Sequence, residues 1–123
     1  MASSLSRLVL LVRGGTTSLS QSIKFFNTAL SLPLTRQTDD WAELTCPKSN
    51  ISITLQATSN EALLSSSYSP ILQFEVAELS ETVTKCLAAG ANLDGPIQYK
   101  AHGAVAQLRS PSGVMVGLYE PVA

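Results

Sequence analysis

The chain carries one order of secondary-structure elements twice, and this repeat restricts its fold more than any other feature of the sequence. The apolar run Leu8–Val12 predicts a strand, and helical spacing of apolar residues follows over Ser18–Ser31. Later, Ile71–Val76 alternates as a strand, and Leu79–Ala89 has the apolar stripe of a helix. Each helix is followed by three strand-like segments, which in chain order are Leu34–Gln37, Trp41–Cys46, Ile51–Gln56, Ile97–Lys100, Ala104–Arg109 and Val114–Glu120. The order β-α-β-β-β therefore occurs twice.

Local signals mark the ends of the two predicted helices. Ser18 and Gln21 have the spacing of a capping box, which predicts that the first helix begins at Ser18. Pro33 prevents that helix from continuing. Gly90 suits the left-handed position just past the end of the second helix.

Two β-α-β-β-β modules predict an α+β protein. We expect one domain over 1–123, with modules 6–56 and 70–121 joined by a polar connector, 57–69. A chain of 123 residues has room for one sizeable core and not for two. The eight strands are expected to form one concave mixed sheet with both helices on its outer face. Such a sheet offers a natural pocket for a small molecule.

Composition excludes several classes of partner. Hydrophobic residues make up 45% of the chain, which is too many for a disordered segment. The net charge is −1 and every Lys and Arg stands alone, so we expect no nucleic-acid partner. The longest apolar run, Leu8–Val12, is far too short to span a membrane. Charged residues are only 14%, against roughly 25% in an average domain, which favours a surface partly covered in a homodimer.

The first 38 residues are basic and contain no acid, a composition typical of an organelle transit peptide. The alternative is that this segment forms the first strand and helix, and we favour it because no disposable leader precedes those elements. We therefore expect a cytoplasmic protein, with organelle import as the alternative. Cys46 and Cys86 fit neither a disulfide framework nor a zinc cluster, which suits a reducing compartment. Cys86 lies on the apolar helix face and is expected to be a small buried residue.

Several motifs, in the right order, resemble the vicinal oxygen chelate superfamily, which contains glyoxalases, bleomycin resistance proteins and extradiol dioxygenases. Ser22–Leu30 is similar to the superfamily's first helix. Phe74–Val76, Val83–Ala91 and Gly95-Pro96 resemble its second half, and Arg109–Glu120 resembles its closing hairpin. The resemblance covers nearly all of residues 6–121 and implies the paired-module fold described above.

Members of that superfamily commonly hold a divalent metal through His, Glu or Gln side chains on four strands. In this chain the corresponding positions are Arg7, Thr54, Ile71 and Gly117. None of the four is a normal metal ligand, and Arg7 would place a fixed positive charge where the cation should lie. A two-residue shift would offer only Gln56, Gln73 and Tyr119. We therefore expect no metal and no other cofactor.

The register implied by the resemblance also predicts which side chains face the concave surface. These are Arg7, Val9, Ser52, Thr54, Gln56, Ile71, Gln73, Glu75, Met115 and Tyr119. Arg7 is expected to hold the carboxylate of a ligand in a two-pronged contact, or alternatively to pair with Glu75 or another acid. Trp41 and Glu43 share one face of their strand, where Trp41 can stack on a ring or simply lie exposed. The predicted ligand contacts are Arg7, Trp41, Glu43, Thr54, Gln73 and Tyr119.

The candidate catalytic residues are Glu43, Glu75 and His102. Glu43 or Glu75 would act as a general base, and His102 as a proton carrier at the mouth of the pocket. The alternatives are that Glu43 lies on an exposed strand and that His102, the single histidine, lies in a surface loop.

These observations favour a metal-independent protein that binds a small carboxylated or aromatic molecule in its concave sheet. One alternative is an enzyme, either a lactoylglutathione-lyase-like lyase or isomerase or a dioxygenase-related enzyme, with an atypical or absent metal site. Another is a pseudo-enzyme that acts through its dimer surface.

Overall fold

The computed structural model describes residues 7–60, 64 and 70–122, without the side chains of Thr16 and Thr17. Most of the predicted connector 57–69 thus lies outside the described residues. The helices are α1 (Thr16–Lys24), continued by one π-helical turn (Phe25–Ala29), and α2 (Leu79–Ala88). The strands are β1 (Arg7–Arg13), β2 (Leu34–Gln37), β3 (Trp41–Cys46), β4 (Ile51–Thr58), β5 (Ile71–Glu75), β6 (Asn92–Leu93), β7 (Gln98–Lys100), β8 (Gly103–Arg109) and β9 (Met115–Pro121).

The described strands form two sheets. Sheet 1 has the order β1-β4-β3-β2, and sheet 2 has the order β5-β9-β8-β6, with β7 also paired to β8. In each sheet the first strand runs parallel to its neighbour, and the remaining pairs are antiparallel. The predicted α+β class is confirmed. Within the described part of the chain, however, the hydrogen-bonded ladders make two separate sheets rather than one sheet of eight strands.

Sheet 2 contains one strand more than expected. The segment after α2 pairs with β8 twice, through Asn92–Leu93 at one end and Gln98–Lys100 at the other. Gly95, with φ 85°, and Pro96 lie between these two pairings. Because proline has no N–H to donate and Gly95 turns the chain, one continuous strand cannot form there.

One face of each sheet packs on a helix, and the two packed faces share a single core. Helix α1 lies against β1 and β4, and α2 lies against β8 and β9. The two halves also meet where the π-helical turn packs on α2. The largest fully buried side chains of this core include Phe25, Phe26, Leu55, Leu108 and Leu118.

Helix α1 begins earlier than the predicted capping box allows, so that prediction is wrong. Gly15 is the N-cap residue, with φ 110° and no side-chain capping hydrogen bond, and the helix already includes Thr16. Glycine adopts this backbone conformation without a steric penalty, so the chain turns directly from β1 into the helix. At the other end, the π-helical turn inserts one extra residue. Both Phe25 and Phe26 thereby point into the core, with their rings edge to face at 5.0 Å.

The start of α2 is stabilised from another strand. The backbone N–H of Leu79 donates to Oε1 of Glu120 on β9 at 2.6 Å. A carboxylate at a helix N-terminus satisfies a free N–H and complements the helix dipole. At its other end, Gly90 has φ 100°, as predicted. None of the helices in the described ranges is long and apolar enough to cross a membrane.

Candidate functional site

Each sheet has one face that carries no helix, and we call these faces open face 1 and open face 2. Strand pairing defines their members, because paired residues point to the same side of a sheet. Open face 1 comprises Arg7, Val9, Leu11, Arg13, Arg36, Trp41, Glu43, Thr45, Ser52, Thr54, Gln56 and Thr58. Open face 2 comprises Ile71, Gln73, Glu75, Val105, Gln107, Arg109, Met115, Gly117 and Tyr119.

The structure places every side chain predicted for the concave surface on one of these two faces. Arg7, Trp41, Glu43 and Thr54 lie on open face 1, and Gln73, Glu75 and Tyr119 lie on open face 2. His102 lies in the turn between β7 and β8. The predicted ligand contacts therefore fall into two groups, one on each sheet.

On open face 1, an ion pair crosses the central strand. Nη2 of Arg7 lies 3.4 Å from Oε2 of Glu43, so Arg7 pairs with Glu43 and not with Glu75. The other carboxylate oxygen of Glu43 accepts a hydrogen bond from Thr35 at 3.0 Å. The Arg7 side chain remains 56% exposed, against 17% for Glu43. An ion pair exposed to this extent stabilises a protein by about 1 kcal/mol or less, so a ligand carboxylate can compete for the guanidinium.

Thr54 lies beneath this ion pair. It occupies the middle of β4, paired with Val9 on one side and Glu43 on the other. Its residue exposure is 8%, and its hydroxyl oxygen is buried with no hydrogen-bond partner among the described residues. A buried hydroxyl without a hydrogen-bond partner lowers the free energy of unfolding by an amount on the order of 1 kcal/mol. A ligand or water at this position would remove that cost.

Open face 2 has a glycine at its centre. A Cβ at Gly117 would lie 3.2 Å from Oε1 of Gln107 and 3.6 Å from Cγ of Gln73. The missing side chain thus leaves space that the Gln107 amide occupies. Oε1 of Gln107 is buried, and within the described ranges it has no hydrogen-bond partner. Met115, on the same strand as Gly117, is only 1% exposed and lies outside the main core cluster.

Gln107 is a candidate binding residue that the sequence analysis missed. The available signal was a single amide in the middle of the otherwise apolar stretch Ala104–Leu108. Its position above a glycine on the neighbouring strand depends on pairing between β8 and β9, which sequence periodicity does not reveal.

Two of the three candidate catalytic residues come to lie beside Tyr119. Glu75 is the β5 residue that pairs with Tyr119 on β9. The Tyr119 hydroxyl donates to the backbone carbonyl of His102 at 2.9 Å and lies 3.3 Å from Nδ1 of its ring. His102 and Glu75 are both exposed. Carboxylate, phenol and imidazole groups are therefore grouped at one end of open face 2, whereas Glu43 lies on the other sheet.

The two thiols are not activated. Burial raises the pKa of the Cys46 thiol, and it raises the pKa of Cys86 to about 11. Cys86 is fully buried, as predicted, and both cysteines are free. Because the thiolate is the reactive form of cysteine, nucleophilic chemistry at either residue is disfavoured.

The four residues that the sequence resemblance assigns to metal positions do not fit a metal ion. The Arg7 guanidinium is a cation, and it lies against Glu43, the nearest carboxylate of that face. Thr54 supplies only a hydroxyl, Ile71 supplies no donor atom, and Gly117 has no side chain. Within the described part of the chain, no three residues among His, Cys, Asp and Glu are grouped closely enough to hold an ion.

A cleft of about 900 Å³ lies beside the edge strand β5 and is bordered by residues of both sheets. Its walls are largely apolar and include Leu8, Leu30, Ile53, Leu72 and Phe74. Lys48, Lys85 and Glu75 also border it. On the open faces of the edge strands, Val9 and Ile71 are exposed apolar side chains. Within the described ranges β1 and β5 are edge strands, and an edge strand beside apolar surface is typical of an interaction site.

Comparison with solved structures identifies the fold. A glyoxalase/bleomycin resistance protein/dioxygenase family enzyme from Burkholderia phytofirmans PsJN has a TM-score of 0.78 and 16% identity, over 98% of this chain and 100% of that one. The fosfomycin resistance protein FosX from Listeria monocytogenes has a TM-score of 0.78 and 13% identity, over 99% and 96% of the two chains. A glyoxalase family protein from Bacillus cereus has a TM-score of 0.77 and 19% identity, over 100% and 97%.

No family model and no curated protein sequence matches the chain. The structural likeness covers nearly the whole chain, but identities of this size show the fold alone. The resemblance stated from the sequence is confirmed at that level.

Proposed function

We propose that this chain, which has the fold of the vicinal oxygen chelate superfamily, is a metal-independent small-molecule-binding protein. The observation that carries the proposal is the pair of buried, unpartnered polar atoms, Oγ1 of Thr54 and Oε1 of Gln107, in the described residues of the two open faces. Folded proteins rarely leave such atoms unsatisfied, and a bound molecule that hydrogen-bonds to them would satisfy both. Neither atom belongs to the shared core.

The chemistry of the two faces favours a carboxylated or aromatic ligand. Arg7 presents an exposed guanidinium, which holds carboxylates through two parallel hydrogen bonds. Trp41 is half-buried on the same face and offers a ring for stacking. Glu43, Gln73 and Tyr119 would complete the contacts, as hydrogen-bonding groups around an organic molecule.

Metal independence is part of the proposal. It is supported by the ion pair between Arg7 and Glu43. It is also supported by Gly117, which has no side chain and leaves room for the Gln107 amide. We infer that hydrogen bonds and the Arg7 charge hold the ligand where related folds use an ion.

We also propose that the chain is one domain that works as a homodimer, in which the open faces of the two modules form one concave surface. The cleft beside β5 supports this, because its apolar walls and the edge positions of β1 and β5 in the described sheets suit a second copy. Two free cysteines suit a reducing compartment, so we place the protein in the cytoplasm.

A lyase or isomerase is the second candidate function, and the position of Glu75 favours it. Its carboxylate is exposed on open face 2 beside Tyr119, which itself contacts His102. Both oxygens of Glu43 are engaged, by Arg7 and Thr35, so Glu75 is the better placed general base. A Glu75→Gln variant that binds a substrate but no longer turns it over would support this candidate.

A third candidate is a pseudo-enzyme that acts through its dimer surface, and the apolar cleft beside β5 favours it.

Retention of metabolites tests the binding proposal. Purified protein is incubated with a small-molecule extract, separated by gel filtration and denatured, and the released compounds are identified by mass spectrometry. We expect a near-stoichiometric compound with wild type and at least tenfold less with Arg7→Gln. The control is Lys100→Gln, which removes an exposed charge on β7. Equal retention by all three proteins, or none by any, would count against the proposal.

A further inference from the structure

We propose that Tyr119 holds His102 in the tautomer protonated on Nδ1, so that its Nε2 is the acceptor for an N–H or O–H group of the ligand. The inference rests on the proposed function, because it requires a ligand at open face 2. It makes His102 a binding residue and gives Tyr119 a positioning role in addition to its proposed contact with the ligand.

The hydrogen bonds around Tyr119 determine the tautomer. Its hydroxyl has one hydrogen, and that hydrogen is donated to the backbone carbonyl of His102 at 2.9 Å. The phenolic oxygen can then only accept. Nδ1 of His102 lies 3.3 Å from it, so a hydrogen bond between them requires the proton on Nδ1. In a neutral imidazole the other nitrogen, Nε2, is left with a free lone pair.

The backbone holds the two side chains together. The carbonyl of His102 also accepts a hydrogen bond from the N–H of Val122 at 3.1 Å, which ties the turn to the end of β9. A Cβ at Gly103 would lie 2.8 Å from a ring carbon of Tyr119, and closer still to the carbonyl oxygen of Glu120. Only glycine allows this approach. The rings of His102 and Tyr119 consequently lie 5.7 Å apart, tilted by 47°.

The free nitrogen belongs to the residue that contacts Tyr119 at one end of open face 2. His102 is exposed, and Glu75 is on the strand next to Tyr119. A ligand hydroxyl or N–H that reaches this end of open face 2 therefore finds an acceptor whose lone pair is fixed by Tyr119. If the ligand group is acidic, its O–H bond breaks, an Nε2–H bond forms, and the imidazole becomes a cation.

Nitrogen NMR of the imidazole tests the tautomer directly, because the chain has a single histidine. Long-range ¹H–¹⁵N spectra of the neutral ring report which of its two nitrogens carries the proton. We expect a protonated Nδ1 and an unprotonated Nε2 in wild type, and loss of this preference in Tyr119→Phe. Tyr99→Phe is the control, since Tyr99 is 81% exposed on β7. A proton on Nε2 in wild type, or an unchanged tautomer in Tyr119→Phe, would overturn the inference.

A pair of probes tests the acceptor role. Phenol carries an O–H donor, and anisole is the matched ether without one. We expect phenol to bind at least threefold more tightly than anisole and to shift the Nε2 resonance, with the difference lost in Tyr119→Phe. Equal binding of the two probes would overturn the acceptor role and leave the proposed binding function standing. Binding of neither probe would count against both.

Discussion

The two modules have the same framework and different open faces. In each, the first strand runs parallel to the last strand, and the last strand pairs antiparallel with the strand that precedes it in the chain. Leu55 on β4 corresponds to Leu118 on β9, and both are fully buried. On the opposite face, the central row reads Val9, Thr54 and Glu43 in module 1 and Gln73, Gly117 and Gln107 in module 2.

This contrast separates what folding requires from what it leaves free. The packed faces contribute to one core, so a change of size there creates a cavity or an overlap. The open faces carry no helix, and side chains there are not required to fill a core. The modules are alike at buried sheet positions such as Leu55 and Leu118 and differ on the open faces, with an ion pair beside Thr54 in one and an amide against Gly117 in the other.

The largest effects are expected where the modules are alike. Leu55→Ala and Leu118→Ala each remove a fully buried side chain, and each should lower the free energy of unfolding by about 3 kcal/mol. Because the two residues share one core, urea denaturation should give a single transition in both variants. Two separate transitions, or costs that differ by several kcal/mol, would show that the modules are stabilised independently.

The next effect is specific to module 2. Gly103→Ala places a Cβ against the carbonyl of Glu120 and the ring of Tyr119, and should cost about 2–3 kcal/mol. Gly95→Ala is the matched control, because Gly95 also has positive φ but no atom within 4 Å of the added Cβ. It should cost only about 1 kcal/mol. Similar losses in thermal or urea denaturation would mean that β7, β8 and β9 do not pack as described.

The helices differ in what they bury, and this difference gives a pH dependence. Leu19, Ile23 and Phe26 of module 1 occupy the positions of Leu79, Val83 and Cys86 in module 2. Burial raises the pKa of Cys86 from 9.0 to about 11. Above pH 9 the thiol of the unfolded chain ionises first, so the stability contributed by the neutral thiol is present below pH 9 and declines towards pH 11.

The free energy of unfolding of wild type should therefore fall between pH 9 and 11 by about 2 kcal/mol more than that of Cys86→Ala. Parallel denaturation series for the two proteins measure the difference. Cys46 remains in both proteins, so its smaller contribution cancels. Superimposable pH profiles would contradict the burial of the Cys86 thiol.

A smaller effect is expected at the centre of open face 1. Thr54→Val removes the unpartnered hydroxyl without changing the shape of the side chain, and should raise the free energy of unfolding by up to about 1 kcal/mol. The same variant should retain less of the bound compound. Thr45→Val, on the half-buried strand β3, serves as the comparison. A loss of stability in Thr54→Val would show that the hydroxyl has a partner in the free protein.

The smallest effect concerns the ion pair that distinguishes open face 1. In a double-mutant cycle of Arg7→Gln and Glu43→Gln, the coupling energy for unfolding should be below about 1 kcal/mol, because the pair is largely exposed. Ligand retention should nevertheless fall in Arg7→Gln. A large coupling with no change in retention would make the pair a structural element and remove Arg7 from the ligand site.

Much of the fold was predictable because local patterns determine it. Alternation in Ile71–Val76 and helical spacing in Leu79–Ala89 placed β5 and α2 almost to the residue. The start of α1 was not predictable from Ser18, because Gly15 allowed an earlier turn. The extra strand β6 depends on pairing with β8, which only the tertiary structure reveals.

The candidate site was likewise predictable where the pattern along one strand decides a position, and not where pairing between strands decides it. Alternation placed Trp41 and Glu43 on one face of β3, and the register implied by the resemblance placed Thr54 on the concave surface. The partner of Arg7 was not predictable, because it depends on which strand lies two positions away in the sheet. Gln107 was missed for the same reason, since its role becomes visible only beside Gly117.

The most direct test of the account is metal binding by the intact protein. Untagged protein purified without chelators is analysed for its elements and then titrated with Ni²⁺, Zn²⁺, Mn²⁺ and Fe²⁺ by calorimetry. The account predicts less than about 0.1 ion per chain and no saturable binding, because Arg7, Thr54, Ile71 and Gly117 offer no ligand set. A stoichiometric ion that survives dialysis would contradict it and would make a metal-dependent glyoxalase-type reaction the leading interpretation.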